Sequence, residues 1–564
     1  MQIKSLQTTS LLILFGVLLG CSEPSVDRDM PELEMAAANS MAPESMADWV
    51  LTNGQILTVD AAFSSVEAMA IKDGLILATG SNEEMMEYAG QDSEVTDLDG
   101  QTIVPGLIDN HMHFVRGTKH WYRLVRWDGV KSRAEGLEMI KERAAQLPEG
   151  EWLMVMGGFI FDQFQDNSDV FSRQELDEVL PDRPLYIQEG YGRAFVNSAA
   201  LEVAGVTNAT DHQGLIRDEQ GELTGELRGG GAYGLVDRYI PEPSEATWDN
   251  SVKLTIDSLL SKGLTGVYDV GGNTVTPAFY ESIGRIADAD ELKMRVYYSL
   301  NEQNSASSSA EEIMMEMRNN TPDMEGLRFA QFGYGETVYR PMRANPFIVS
   351  DEDREHFKNI AITAVENGWQ TNEHSSREVK ISGMLDILEE VADSHPAMLD
   401  MRFTIAHTNG VQPVSIERAK ALGMVFAVHS SRRQSGQSGS ENPASQPPAQ
   451  VINDMGGIWG LGSDATTVGS PNPFHTIGWV VSGRNIAGNI TQPFTVSRED
   501  ALTAHTRTNA YILFREDDLG SLEAGKQADF VVLDRDYMTV PEEEIEDLFS
   551  VMTVVEGEVV YAAD

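Results

Sequence analysis

The sequence predicts an α/β fold: a (β/α)8 TIM-type barrel, an insertion after its first strand, and a composite β-sandwich domain assembled from both chain ends. Three observations predict it. Short apolar runs alternate with helix-like stretches through the middle of the chain, as expected for parallel strands covered on both faces. Four of those runs end in side chains that ligate metals: His111 and His113 in VPGLIDNHMHF, His374 in WQTNEHS, His407 in RFTIAHT and Asp464 in WGLGSDA. All four deliver them at the C-terminal end, the rim where such barrels place their chemistry. Finally, β-type runs without intervening helices cluster near the two termini.

The elements follow in order. Residues 1–20 have a weakly positive start at Lys4, the apolar stretch LLILFGVLL, and the ending Leu18-Leu19-Gly20 before Cys21. This reads as a secretory signal, outside the fold. Residues 21–47 are polar, acidic and Pro-containing, a flexible tether. Residues 48–104 and 515–564 supply the composite β-domain. Within them Asn53-Gly54, Asp73-Gly74 and Glu556-Gly557 are predicted hairpin turns.

Residues 105–514 form the barrel, with strands expected at 102–111, 264–270, 294–300, 327–334, 369–375, 402–408, 424–430 and 457–464. SDEDREHFKNIAITAVENG, with an acidic start and a terminal Gly, and ISGMLDILEEVADS, with helical apolar spacing, are two of the intervening helices. Residues 120–250, containing EWLMVMGGFI and RPLYIQEG, form a lobe expected over the barrel mouth. The segment 430–450 is turn-rich and reads as a loop beside the seventh strand.

The whole chain sets bounds. At 564 residues it exceeds one compact core. Its 41% hydrophobic content is that of a globular protein. A formal charge of −47 repels phosphates and argues against nucleic acid as a partner; the acidity reads as a solvated surface, and the small-molecule substrate is expected at the barrel mouth. Past the N-terminal segment, no apolar run is long enough to cross a bilayer. Cys21 is the only cysteine, so neither a disulfide nor a thiolate metal site is available.

The chemistry rests on spacing. In His111-x-His113 the side chains at i and i+2 of a strand share a face, so both imidazoles can reach one ion. Asp109 is placed to brace a ligand histidine or cap the strand. Asp464, after Leu461-Gly462-Ser463, can bind an ion and take a proton from water, or cap a helix. Around the rim, His429 is a candidate substrate or metal contact, Glu336 and Tyr339 are candidate substrate contacts or loop residues, and Asp269 is a candidate ion-pair partner of Arg328 or a catalytic group. His120, His212, His356, His395, His475 and His505 are read as structural or exposed.

PGLIDNHMH, the two later histidines, GSDA and the closing GSLEAGKQADFVVLD resemble the amidohydrolase superfamily. GLIRDEQGELTGEL and the insertion resemble its YtcJ-like, Amidohydro_3 branch. The Leu-Leu-Gly-Cys ending resembles a bacterial lipoprotein cleavage site. The resemblance implies one or two divalent ions, usually zinc, and hydrolysis of a C–N bond of amide type. It also implies export to the periplasm or outer membrane of a Gram-negative bacterium, held by a lipid on Cys21. Many members carry a bridging Lys on the fourth strand. Here Arg328 is read at that position, as a further candidate substrate contact, and a guanidinium does not carboxylate. One ion is therefore expected, on His111, His113, His374 and Asp464, with His407 a ligand or an electrophile and Asp464 the base. The fifth-strand surroundings, His374-Ser-Ser-Arg-Glu378, also depart from the branch. The alternatives are a degenerate barrel kept as a binding or regulatory lipoprotein, and a metal-dependent deaminase or lactonase.

Overall fold

A computed structural model of the chain describes residues 45–272, 275–301, 309–429, 447–491 and 495–563. The signal segment, Cys21, the tether to residue 44 and residues 430–446 of the expected loop lie outside them.

An eight-stranded parallel sheet forms a TIM-type barrel. Its strands, in chain order, are Leu107–Met112, Leu264–Asp269, Arg295–Leu300, Phe329–Tyr334, Gln370–His374, Thr404–Ala406, Val425–His429 and Trp459–Gly462. The apolar runs are buried because helices cover them outside. Asp351–Asn367 is one such helix, capped by Ser350 and ended by a left-handed Gly368. Glu378–Ser394 is the next.

The eighth strand closes on the first through backbone and side chains. Asp464 N donates to the His111 carbonyl at 2.8 Å. Asn509 Nδ2 donates to the carbonyls of Ile108 and Leu461 at 2.5 and 2.7 Å, one from each strand. The seam requires glycine: a Cβ on Gly460 would lie 2.0 Å from Asn509 Oδ1, and one on Gly462 2.5 Å from Asn110 Oδ1.

The run 102–111, expected as one barrel strand, is two. Thr102–Pro105 belongs to a separate six-stranded sheet, and the barrel strand begins at Leu107. Between them Gly106 packs against Thr265, leaving no room for a Cβ.

That six-stranded sheet joins N-terminal strands to Phe530–Leu533, Ser550–Val555 and Glu558–Ala562. Phe530 pairs with Pro105 and Val532 with Ile103. A four-stranded sheet containing Ala47–Thr52 and Ala68–Lys72 faces it across a shared core that includes Trp49, Ile71, Phe530 and Val554. Asp73-Gly74 and Glu556-Gly557 make the expected antiparallel turns. Asn53-Gly54 does not: the strands on either side of it enter different sheets.

The insertion carries its own six-stranded sheet, including Leu153–Met156, Leu185–Glu189 and Arg193–Val196. Alternate residues supply two cores. Leu153, Ile187 and Phe195 face one side; Met154, Tyr186 and Val196 face the other. The lobe docks on the loop after the eighth strand, where Arg126 donates to the carbonyls of Thr466 (2.7 Å) and Gly469 (3.3 Å). No helix among the described residues is long and apolar enough to cross a membrane.

Candidate metal centre

The first strand brings His111 to the rim, and His113 follows it at the start of the helix Phe114–Thr118. Their rings are 5.7 Å apart. Asp109 braces the backbone: its Oδ1 accepts from His111 N at 3.0 Å and from Ser463 N at 3.1 Å, which ties the ligand strand to the seam. Burial pushes the Asp109 carboxyl up to about 6 against those hydrogen bonds. Asp269, expected as a partner of Arg328, instead accepts from Val115 N at 2.6 Å and Gly271 N at 2.8 Å. It thereby fixes the turn after the His-x-His pair.

Glu336 occupies the middle. Two residues past the fourth strand, it turns inward with its side chain almost fully buried. Its Oε2 lies 2.9 Å from His374 Nδ1, 3.2 Å from His407 Nε2 and 3.4 Å from His111 Nε2; Oε1 is 3.9 Å from His113 Nε2. Asp464 closes the other side, with Oδ1 3.2 Å from His113 Nε2 and Oδ2 3.8 Å from His407 Nδ1. His429, at the end of the seventh strand, lies with its ring centroid 4.0 Å from that of His111 and 4.7 Å from that of His407. His407 and Asp464 both have left-handed backbones, with φ of +68° and +57°. Asp and His are among the non-glycine residues that adopt this region most readily, and here it turns both side chains in at the strand ends.

The electrostatics suit a cation. Burial, with the neighbouring His407, lowers His374 to about 3, and burial also depresses His111 and His429, so these imidazoles are neutral at neutral pH. Burial pushes Asp464 up, but the bond from His113 and the nearby His407 outweigh it and hold the carboxyl below the usual range. Glu336 is likewise held low by His374, His111 and His407 against its burial.

The donor set fits a metal on two further grounds. His113 Nδ1 is 2.7 Å from the Gly271 carbonyl, which can only accept, so that nitrogen carries the proton. That bond orients the ring so that Nε2 faces Asp464 Oδ1 and Glu336 Oε1, 3.2 and 3.9 Å away, where it can ligate an ion or, when protonated, donate to Asp464. Both ring nitrogens of buried His111 and of buried His429 have no hydrogen-bond partner. Among the described residues three triads have ligand atoms mutually within 4.8 Å: His111–His113–Glu336, Glu336–His374–His407 and His111–His407–His429.

The structure thus brings His111, His113, His374, His407 and Asp464 together, along with His429. Glu336, expected only as a substrate contact, belongs to two of these triads, as do His111 and His407, and is the carboxylate among them. Arg328 is not at this site. It precedes the fourth strand, hence lies at the opposite end of a parallel barrel, where it pairs with Glu556 and donates to the Leu292 carbonyl. The fourth-strand group facing the histidines is the Glu336 carboxylate, so the objection to a bridged pair of ions that Arg328 raised does not apply. Tyr339 points elsewhere, its hydroxyl 2.9 Å from Asp353 Oδ1 and 3.1 Å from His356 Nδ1. Sequence reasoning missed the pair formed by Arg116, beside the His-x-His motif, and Tyr191 of the lobe, whose hydroxyl accepts from Arg116 Nη2 at 2.7 Å.

Comparison with known proteins gives this geometry a context. The profile of the amidohydrolase family (Amidohydro_3) matches residues 94–561. The N-substituted formamide deformylase of Arthrobacter pascens is 27% identical over 91% of this chain and 98% of its own. Protein LONG AFTER FAR-RED 3 of Arabidopsis thaliana is 27% identical over 89% of this chain and 90% of its own. Among solved structures, an uncharacterized metal-dependent hydrolase from Pyrococcus furiosus shares the fold with a TM-score of 0.60 at 20% identity, covering 87% of this chain and all of that one (100%).

Proposed function

This chain belongs to the amidohydrolase family as a metal-dependent hydrolase of carbon–nitrogen bonds, and from that premise we propose that it cleaves a small N-acyl or amide substrate using two divalent ions. The observation that carries the count is Glu336, the carboxylate in two of the triads, whose oxygens lie within 3.9 Å of His111, His113, His374 and His407. His111, His113 and Asp464 would hold one ion, His374 and His407 the other, and Glu336 both. Imidazole and carboxylate donors suit zinc. When bound, the ions supply Lewis acidity and make water nucleophilic near neutral pH.

The residues do the rest. A carboxylate oxygen of Asp464 receives the proton of the attacking water and returns it to the leaving nitrogen. His429, neutral and packed on His111, completes the wall or lends a further nitrogen. The Arg116–Tyr191 pair sets a phenol at the mouth, where it can donate to the substrate carbonyl. Asp109 and Asp269 touch no substrate; they hold the backbone that aims the first-strand histidines.

The test is elemental analysis of the purified protein, paired with hydrolysis of formamides, N-acyl amino acids, cyclic amides, amino-heterocycles and lactones. The formamides enter the panel because of the A. pascens relative. Two equivalents of metal and release of an amine are expected. Metal-free protein that binds ligands without turnover would instead support the binding-lipoprotein reading, and turnover confined to lactones or amino-heterocycles a different bond. We further propose export and lipid anchoring at Cys21, from the Leu18-Leu19-Gly20-Cys21 ending. A Cys21→Ser variant should leave the membrane fraction, and unchanged fractionation would refute the anchor.

A further inference from the structure

Beside His374 a cavity of about 380 Å³ lies between the loops that follow the fourth and fifth barrel strands. Three cationic side chains line it: Arg343 from the first loop, Arg377 from the second, and Lys380 from the first turn of the helix Glu378–Ser394. No lining residue is acidic, in a chain with 88 Asp and Glu against 41 Lys and Arg. A local reversal of sign in so acidic a protein focuses potential for an anion.

The nearby carboxylates also have other partners. Glu336 sits among the histidines, and its Oε1 lies 3.8 Å from Arg343 Nη1, so that guanidinium borders both the cavity and the metal centre. Glu373 accepts from Val338 N at 3.0 Å. Glu378 accepts from Gln412 N and Ser415 Oγ at 2.8 and 2.6 Å. Arg377 is left with one neutral partner in the structure, Asn345 Oδ1 at 2.7 Å, and Lys380 Nζ donates to the His374 carbonyl at 3.2 Å. Pro346, Phe347 and Val379 give the same cavity apolar walls. His374 belongs both to this cavity and to the metal centre, so the two lie within one small molecule's length.

We propose that this cavity is the seat of a substrate carboxylate, so that the enzyme acts on amido acids: an amide at the metal centre with an anionic group a few bonds away. Arg343 and Arg377 offer the planar, bidentate donors that match a carboxylate. The apolar walls accommodate the carbon skeleton between the two ends. This deepens the reading of the site as an amide hydrolase and rests on it.

The test compares N-acetyl- and N-formylmethionine with their neutral methylamides on metal-loaded protein, reading released acetate or formate. The acids should be preferred by about tenfold or more in kcat/KM, chiefly through KM, a factor typical of one charge-assisted contact. Arg377→Gln should erase that preference, Arg377→Lys should restore part of it, and Arg377→Glu should turn it towards the methylamides. Equal use of acids and methylamides by the unaltered protein, or a preference that survives Arg377→Glu, overturns the carboxylate seat and leaves the hydrolase reading standing. If none of the compounds is cleaved, the hydrolase reading loses its support for this substrate class, and calorimetric titration decides the seat. N-acetylmethionine binding at least tenfold tighter than its methylamide, and lost in Arg377→Glu, sustains it; equal affinity refutes it.

Discussion

Glu336 and His374 meet at 2.9 Å, Oε2 against Nδ1, from the ends of neighbouring barrel strands. A carboxylate in that position changes the reading of the whole centre, because it lies between the two halves of the histidine cluster and within 3.9 Å of four of its imidazoles.

Glu336→Gln keeps the shape and removes the charge. Bound metal should fall from two equivalents to one or fewer, and kcat/KM by at least about a hundredfold. Elemental analysis beside steady-state kinetics reads both; two retained equivalents with normal turnover would remove Glu336 from the centre.

Asp464→Asn tests the proton carrier. The variant should keep its metal through the five neighbouring donors yet lose about 10²–10⁴ in kcat. Near-normal turnover would refute Asp464 as the base.

Arg328→Gln should act on stability alone. The guanidinium is bound to Glu556 and the Leu292 carbonyl at the base of the barrel. Its loss should cost about 1 kcal/mol in urea unfolding and leave kcat/KM within about twofold. A large kinetic effect without a stability change would return Arg328 to the site.

His505 is fully buried, and burial lowers its imidazole to about 4. A depressed pKa favours the fold where the ring is neutral. That contribution is complete above the unfolded value near 6.5 and is lost as pH falls through about 4, on the order of 3 kcal/mol in all. His505→Leu should flatten the fall in the urea midpoint between pH 6.5 and 4. An unaltered slope would show that other groups govern it.

The barrel was legible because each strand is a short apolar run bounded by turn signals, and each of the eight expected runs overlaps one. The run 102–111 misled because Ile103 and Ile108 are equally buried, and nothing in their chemistry says that Gly106 hands the chain from one sheet to another. Arg328 was misplaced through the same property. A run buried on both faces does not announce which of its residues reaches the rim. The signal that finds Glu336 is the one already used for His374 and Asp464: go to the C-terminal end of the apolar run. Applied to LRFAQFGYGE, it passes Arg328 and stops at Glu336. The cationic cavity was not legible, because Arg343 and Arg377 come from different loops and are adjacent only in space.

The sheet that pairs Phe530 with Pro105 and Val532 with Ile103 has a temporal consequence. A ribosome delivers the chain from the N-terminus, so the early strands emerge hundreds of residues before their partners. Until the last strands arrive, Thr102–Pro105 offers an unpaired, aggregation-prone edge. A nascent chain stalled before residue 530 is therefore expected to need a chaperone, however complete its barrel.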